Sequence, residues 1–140
     1  MLKKWIVICF GNFLIAALMG LLLRLQFVAP VNNVNYQFLL HGHSHIAMLG
    51  WVYLALFALI YHFFIPKNKE TEQKFNRLFW ITEIAVIGMM VAFPLQGYAV
   101  FSIIFSTLHI FSSYYFVRLV WKYQQIEAVP ERYLLKTALF

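Results

Sequence analysis

Four long apolar stretches constrain the fold of this sequence more than any other feature. They lie at about residues 5–28, 38–65, 78–93 and 98–121. An α-helix needs roughly 20 apolar residues to cross a hydrocarbon core of ~30 Å. Of the 140 residues, 63% are hydrophobic and 11% are charged, which is more apolar surface than a soluble domain of this length can bury. The sequence therefore predicts one all-α membrane domain over residues 1–140, with four transmembrane helices in the lipid bilayer.

The positions of the basic residues predict the orientation of these helices. Ten of the eleven Lys and Arg residues precede the first stretch, separate the second from the third, or lie at or after the end of the fourth: Lys3, Lys4, Lys67, Lys69, Lys74, Arg77, Arg118, Lys122, Arg132 and Lys136. An even number of crossings places these three segments on one side, and the positive-inside bias makes that side cytoplasmic. Both termini are predicted to be cytoplasmic, as in a multi-pass protein of the bacterial inner membrane.

The net charge of +6 is accounted for by this topology, so nucleic acid is not a predicted partner. The expected partners are lipid and either other membrane subunits or a second copy of the same chain. The C-terminal segment predicts a further helix, because Pro130 and Glu131 suit a first helical turn and an apolar run continues to Phe140. This segment is either a truncated fifth span of a longer protein or a short interfacial helix.

Three histidines near the start of the second stretch are the strongest candidates for a functional site. His41, His43 and His45 lie in the sequence HGHSH. Ionisable side chains within a membrane helix are costly to bury, usually face the bundle interior and mark a site. In an α-helix His41 and His45 share one face, while His43 points about 200° away. His45 is the deepest of the three, about 10 Å from the helix start at ~1.5 Å per residue.

The fourth stretch carries His109 at a comparable depth, about 16 Å from its start at ~1.5 Å per residue. A b-type haem between facing helices needs one imidazole from each helix and apolar walls for the macrocycle. We therefore predict haem b as a cofactor, with His45 as an axial ligand and His41 or His109 assisting. The predicted walls include Met48, Leu49 and Val52, with Gly50 allowing close approach of the ring.

The second stretch also carries a family resemblance. The segment from His43 to Val52, HSHIAMLGWV, is similar to the second helix of haem-copper oxidase subunit I and of subunit-I-like bacterial membrane proteins, and the segment PLQGYAVFSIIFSTL from Pro94 to Leu108 supports the likeness. The resemblance implies a role in respiratory electron transport, with His45 as the first choice of low-spin haem ligand and His41 as the second.

The resemblance covers only the N-terminal part of that family's helix bundle. The copper ligands, the high-spin haem ligand and the second low-spin ligand of those oxidases come from later helices. The chain taken alone is therefore not expected to be a complete oxidase, although it is related to oxidoreductases by resemblance. No catalytic residue is assigned.

Two other functions are compatible with the sequence. The chain is alternatively a non-enzymatic accessory subunit of a membrane respiratory complex, in which single histidines such as His109 only bond to a neighbouring helix. It is alternatively a copper- or zinc-binding protein that uses His41, His43 and His45 at the outer face. Glu83, the one carboxylate within a span, is expected to pair with Arg77 or Lys74, or else to relay protons.

Overall fold

The computed structural model describes residues 1–29, 31, 34–124 and 137. These residues contain five α-helices and one π-helix, and no strand occurs among them: α1 Leu2–Leu25, α2 Tyr36–His45, the π-helix Ile46–Tyr53, α3 Leu54–Phe64, α4 Lys69–Gln96 and α5 Val100–Tyr123. Because α2, the π-helix and α3 run on without a break, four helices are long and apolar enough to cross a membrane. The prediction of an all-helical chain with four candidate spans is confirmed. The predicted helix after Pro130 lies outside the described residues, apart from Thr137.

Helix α4 begins well before the predicted start near residue 78, because the sequence provides a cap for it. The Asn68 side chain accepts a hydrogen bond from the Thr71 backbone N–H (2.8 Å), and the Thr71 hydroxyl accepts one from the Asn68 N–H (3.3 Å). Lys74 and Glu70 form an ion pair one turn apart (2.5 Å) on the emerging helix. The polar run from Lys69 to Arg77, which precedes the third apolar stretch, is therefore the first part of α4.

The same helix also continues past Pro94, where it was expected to end. A proline inside a helix removes one backbone hydrogen bond but does not prevent a last turn from forming. The helix ends instead after Gln96, where Gly97 adopts a left-handed φ of 63° and the chain reverses into α5. The third and fourth apolar stretches are therefore joined by a reversal centred on Gly97.

The π-helix in the second span changes which residues share a face with His45. A π-helix is wider than an α-helix, is rare, and is frequently found at functional sites. Met48, predicted to line the His45 face, is instead 61% exposed, and Val52 is also exposed. Leu49 and Tyr53 lie on that face. Two of the three predicted wall residues are therefore wrong, because their prediction assumed α-helical periodicity.

A cluster of aromatic rings packs the bundle at the end away from the HGHSH segment. Trp5 stacks on Phe79 with ring centroids 4.7 Å apart, and Phe57 stacks on Phe116 at 4.2 Å. Phe75 contacts both Phe57 and Phe116 edge to face. Aromatic pairs of this kind add to the stabilisation that burial provides. This cluster joins all four spans and leaves the HGHSH segment in the other half of the bundle.

Candidate cofactor site between the second and fourth spans

His41 and His45 lie on the side of the second span that faces α4 and the start of α5. The His45 ring stacks on Phe93 with centroids 4.3 Å apart and an interplanar angle of 10°. Its Nε2 lies 3.4 Å from the hydroxyl oxygen of Tyr98. His41 lies one turn further toward the end of the bundle and contacts the Tyr98 ring edge to face at 4.8 Å. Phe93 and Tyr98 therefore fix the orientation of the His45 ring.

His43 points the other way, toward α1. Its Nδ1 lies 2.9 Å from the carbonyl oxygen of Ala16, and because a carbonyl only accepts, this nitrogen carries the hydrogen. Gly20 provides the space, since a Cβ there would lie 3.1 Å from His43 Cε1. His43 thus ties the second span to α1. Within the described part of the chain, no group of three or more His, Cys, Asp or Glu side chains is placed to hold a metal ion.

His109 is buried on α5 and faces the second span. It is 3% exposed, and its ring lies 4.8 Å from the Tyr53 ring, edge to face. At ~1.5 Å per residue, His109 lies about 14 Å from the start of α5, and His45 lies the same distance from the start of α2. Phe38, near the start of α2, packs against Gly97, which lies shortly before α5. The two helices therefore start at the same end of the bundle. The two histidines from different spans therefore lie at matching depths.

His45 and His109 line the same cavity, which has a volume of about 350 Å³. Its wall consists of the side chains of His45, Leu49, Tyr53, Ser106, His109, Ile110, Ser113 and Tyr114. A larger cavity of about 820 Å³ shares Tyr53, Ser113 and Tyr114 with it and extends toward Arg118 and Trp121. We call these two adjoining cavities the interhelical groove. Their volumes fall within the range of small-molecule sites, which combine apolar walls with a few polar atoms.

Two polar atoms beside this groove are buried without a partner. Among the described residues, buried side-chain atoms that lack a hydrogen bond are Tyr53 Oη, His109 Nε2 and Gln124 Oε1. Most buried polar atoms in proteins are paired, so each exception calls for an explanation. His109, which shares a cavity lining with a second imidazole, therefore has a ring nitrogen without a hydrogen-bond partner, and such a nitrogen is suited to coordinating a ligand. The sequence pattern did not reveal Tyr53 or Tyr98 as neighbours of these histidines.

A second polar cluster lies in the bundle core, away from the groove. Glu83 is 4% exposed and accepts a hydrogen bond from Asn12 Nδ2 at 2.9 Å. The same Asn12 nitrogen donates to the carbonyl oxygen of Gly50 in the π-helix at 3.0 Å. The predicted pairing of Glu83 with Arg77 or Lys74 is wrong, because the carboxyl points inward and Lys74 pairs with Glu70. The signal that sequence reasoning missed is Asn12, an isolated amide in the first apolar stretch.

Gly50 has a different role from the predicted one. A Cβ at this position would lie 2.7 Å from Val86 Cγ1 and 3.4 Å from Asn12 Nδ2. Side chains of α4 and α1 therefore fill the space that was expected to admit a ligand ring. Gly50 allows close approach between helices, as small residues commonly do in membrane proteins.

Comparisons with known proteins returned no similarity from which a function can be transferred. No protein-family model matches the chain, and neither a curated protein nor a solved structure matches it. The function is therefore argued from the geometry of the groove.

Proposed function

We propose that this chain binds haem b between its second and fourth spans and serves in membrane electron transfer. The observation that carries the proposal is the buried, unpartnered Nε2 of His109, a residue that lines the same cavity as His45. Imidazole nitrogens are common axial ligands of haem iron, and membrane haems are held by histidines on facing helices. His45 and His109 are the proposed ligands, with His41 as the second choice in place of His45.

The residues of this chain suit the group in donor type and in surroundings. A bound haem would supply a one-electron iron couple. The protein would supply the ring orientations, an apolar shell and restricted access of water, which together tune the potential of such a group. Phe93 holds the plane of the His45 ring by stacking. The contact of His45 Nε2 with Tyr98 is long for a hydrogen bond at 3.4 Å, so this nitrogen is weakly engaged.

A reduced-minus-oxidised absorption spectrum of the detergent-purified protein tests this proposal. We expect a b-type band in the wild type and its loss in both His45→Ala and His109→Ala. The matched control is His62→Ala, because His62 is exposed on α3 and lines a different cavity. A band that survives in both ligand variants, or a wild type purified from haem-replete cells without any band, would contradict the proposal.

The proposal has two further parts, which are the family resemblance and the choice of haem over copper or zinc. The likeness of the segment from His43 to Val52 to subunit I of the haem-copper oxidases suggests a subunit-I-like protein of respiratory electron transport. The diverging directions of His43 and His45 favour haem over a copper or zinc site that uses the whole HGHSH segment. Metal analysis of the purified protein separates these cases, since copper or zinc at one equivalent without haem would support the metal site.

An accessory-subunit role is the second candidate, and the surface of α5 favours it. Phe101, Phe111 and Tyr114 are between 61% and 72% exposed along this helix. Such an aromatic face contacts lipid in an isolated bundle and another subunit, or a second copy, in a complex. In this case the chain purified alone carries no haem. When it is extracted from its native membrane, it is expected to co-purify with a partner protein.

The orientation with cytoplasmic termini is tested by labelling introduced cysteines in intact cells. In a Cys9→Ala background, Val34→Cys lies between the first two spans, and Gln73→Cys lies in the exposed first part of α4. A membrane-impermeant maleimide is expected to label Val34→Cys from outside, and to label Gln73→Cys only after permeabilisation. The reverse pattern would overturn the predicted orientation.

A further inference from the structure

We infer that Ser113 is a positioning residue that holds His109 in the tautomer with hydrogen on Nδ1, leaving the Nε2 lone pair free beside the interhelical groove. The inference concerns a property of the protein without any cofactor. It rests on the proposed function only where the free Nε2 is interpreted as a preformed ligand for iron.

Two contacts of the Ser113 hydroxyl carry the first step. Its Oγ lies 2.9 Å from the backbone carbonyl oxygen of His109, one turn earlier on α5. It also lies 3.3 Å from Nδ1 of the same histidine. A serine hydroxyl has one hydrogen to donate and two lone pairs that accept. The hydrogens available for these two contacts are therefore the one on the Ser113 hydroxyl and the one on the His109 imidazole.

Only one assignment of hydrogens satisfies both contacts. A carbonyl oxygen cannot donate, so the Ser113 hydrogen goes to the His109 carbonyl, in the back-bonding geometry common for serine in helices. Ser113 Oγ then accepts from Nδ1–H. If the hydroxyl hydrogen pointed to Nδ1 instead, two oxygen atoms would face each other at 2.9 Å without a hydrogen between them.

The second step follows from the chemistry of neutral imidazole, which has one donor nitrogen and one acceptor nitrogen. With the hydrogen on Nδ1, Nε2 is the acceptor and has a free lone pair. This nitrogen has no hydrogen-bond partner among the described residues. The Leu49 carbonyl lies close to the ring, outside hydrogen-bond geometry to Nε2, and as an acceptor it would favour the opposite tautomer. Ser113 therefore competes with Leu49 for the ring.

The arrangement matches how proteins prepare histidine ligands. A ligating histidine almost always donates its other ring N–H to a neighbouring acceptor, which fixes the tautomer and the ring orientation. Ser113 lines the same cavity and occupies that position. Ser106 provides a built-in comparison, because it lines the cavity and bonds back to the Ser102 carbonyl (2.8 Å). Its hydrogen bonds involve backbone carbonyls and no histidine.

Nitrogen-15 NMR of the histidine-labelled, haem-free protein in detergent tests the inference directly. The His109 signals are identified by their absence in His109→Gln. In the wild type we expect a protonated Nδ1 and an unprotonated Nε2. Ser113→Ala is expected to shift His109 toward the Nε2–H form, and Ser113→Thr, which keeps a hydroxyl, is expected to restore the wild-type signals. Ser106→Ala is expected to leave them unchanged.

Either of two results would overturn the inference: a wild-type His109 that is protonated on Nε2, or a Ser113→Ala protein whose His109 signals are unchanged. A haem titration then separates this inference from the proposed function. If both hold, Ser113→Ala weakens haem binding by about 10- to 100-fold, as for other residues that orient ligands, and Ser113→Thr restores it. If the wild type binds no haem but its Nδ1 is protonated, the proposed function fails and the inference stands.

Discussion

Replacing Gly97 with alanine is expected to destabilise the bundle strongly, because both the backbone conformation and the space at this position favour glycine. Gly97 joins α4 to α5 with φ 63° and ψ −140°, a conformation that residues with a Cβ rarely adopt. An added Cβ would also lie 2.4 Å from Cε1 of the Phe38 ring. Backbone strain and overpacking each cost about 1–3 kcal/mol, so a loss of about 2–6 kcal/mol is expected.

The measurement is the free energy of unfolding in detergent micelles, compared with that of Gly11→Ala. Gly11 lies within α1, and a Cβ there would meet no atom within 4 Å. That control is expected to be neutral or up to about 1 kcal/mol more stable, since alanine is the better helix former. Combining Gly97→Ala with Phe38→Ala isolates the steric part as a coupling energy. A Gly97→Ala protein with wild-type stability would contradict both the strain and the contact.

Replacing Asn12 with leucine is expected to have the second large effect. The Asn12 amide donates hydrogen bonds to Glu83 Oε2 and to the Gly50 carbonyl, and all of these groups lie in the interior of the bundle. Leucine is similar in size but has no donor, so both acceptors lose their hydrogen bond. Each buried group left without a partner costs about 1–3 kcal/mol, and a charged group costs more. A loss of about 2–6 kcal/mol in unfolding free energy is therefore expected.

A double variant shows whether the polar contact is the cause. Asn12→Leu combined with Glu83→Leu removes both side-chain partners, and replacing both by apolar groups is close to neutral. We expect the double variant to be more stable than Asn12→Leu alone. If the two losses simply add, the contact between Asn12 and Glu83 does not stabilise the fold. Leu14→Ala on the exposed side of α1 controls for the change in side chain on that helix.

The histidine site illustrates how far the sequence could be interpreted. The depths of His45 and His109 follow from the rise per residue of a helix, so their similar levels could be predicted from the sequence alone. Their meeting in one cavity could not, because it depends on which faces the second span and α5 turn toward each other. The π-helix after His45 changed those faces, and no proline marks it in the sequence.

Glu83 shows where reasoning from sequence spacing fails. Its distance along the chain from Arg77 and Lys74 favoured a pair near the membrane surface, but α4 rotates the carboxyl toward α1. The partner, Asn12, is remote in sequence, so local spacing carries no information about it. Ser113 is intermediate: its spacing of one turn from His109 is visible in the sequence, whereas the burial that leaves Nε2 unpartnered depends on the packing of α5.

The sequence by itself determined the number of candidate spans and the capped start of α4, although the hydrophobic pattern alone placed that start too late, near residue 78. Both are local properties, since hydrophobic length and the Asn68 cap depend only on neighbouring residues. The interhelical groove, the His43 bond to α1 and the Asn12 contact with Glu83 were decided only by the tertiary structure. Each joins residues from different spans, and their meeting depends on helix rotation and side-chain packing, which a hydrophobic pattern does not specify.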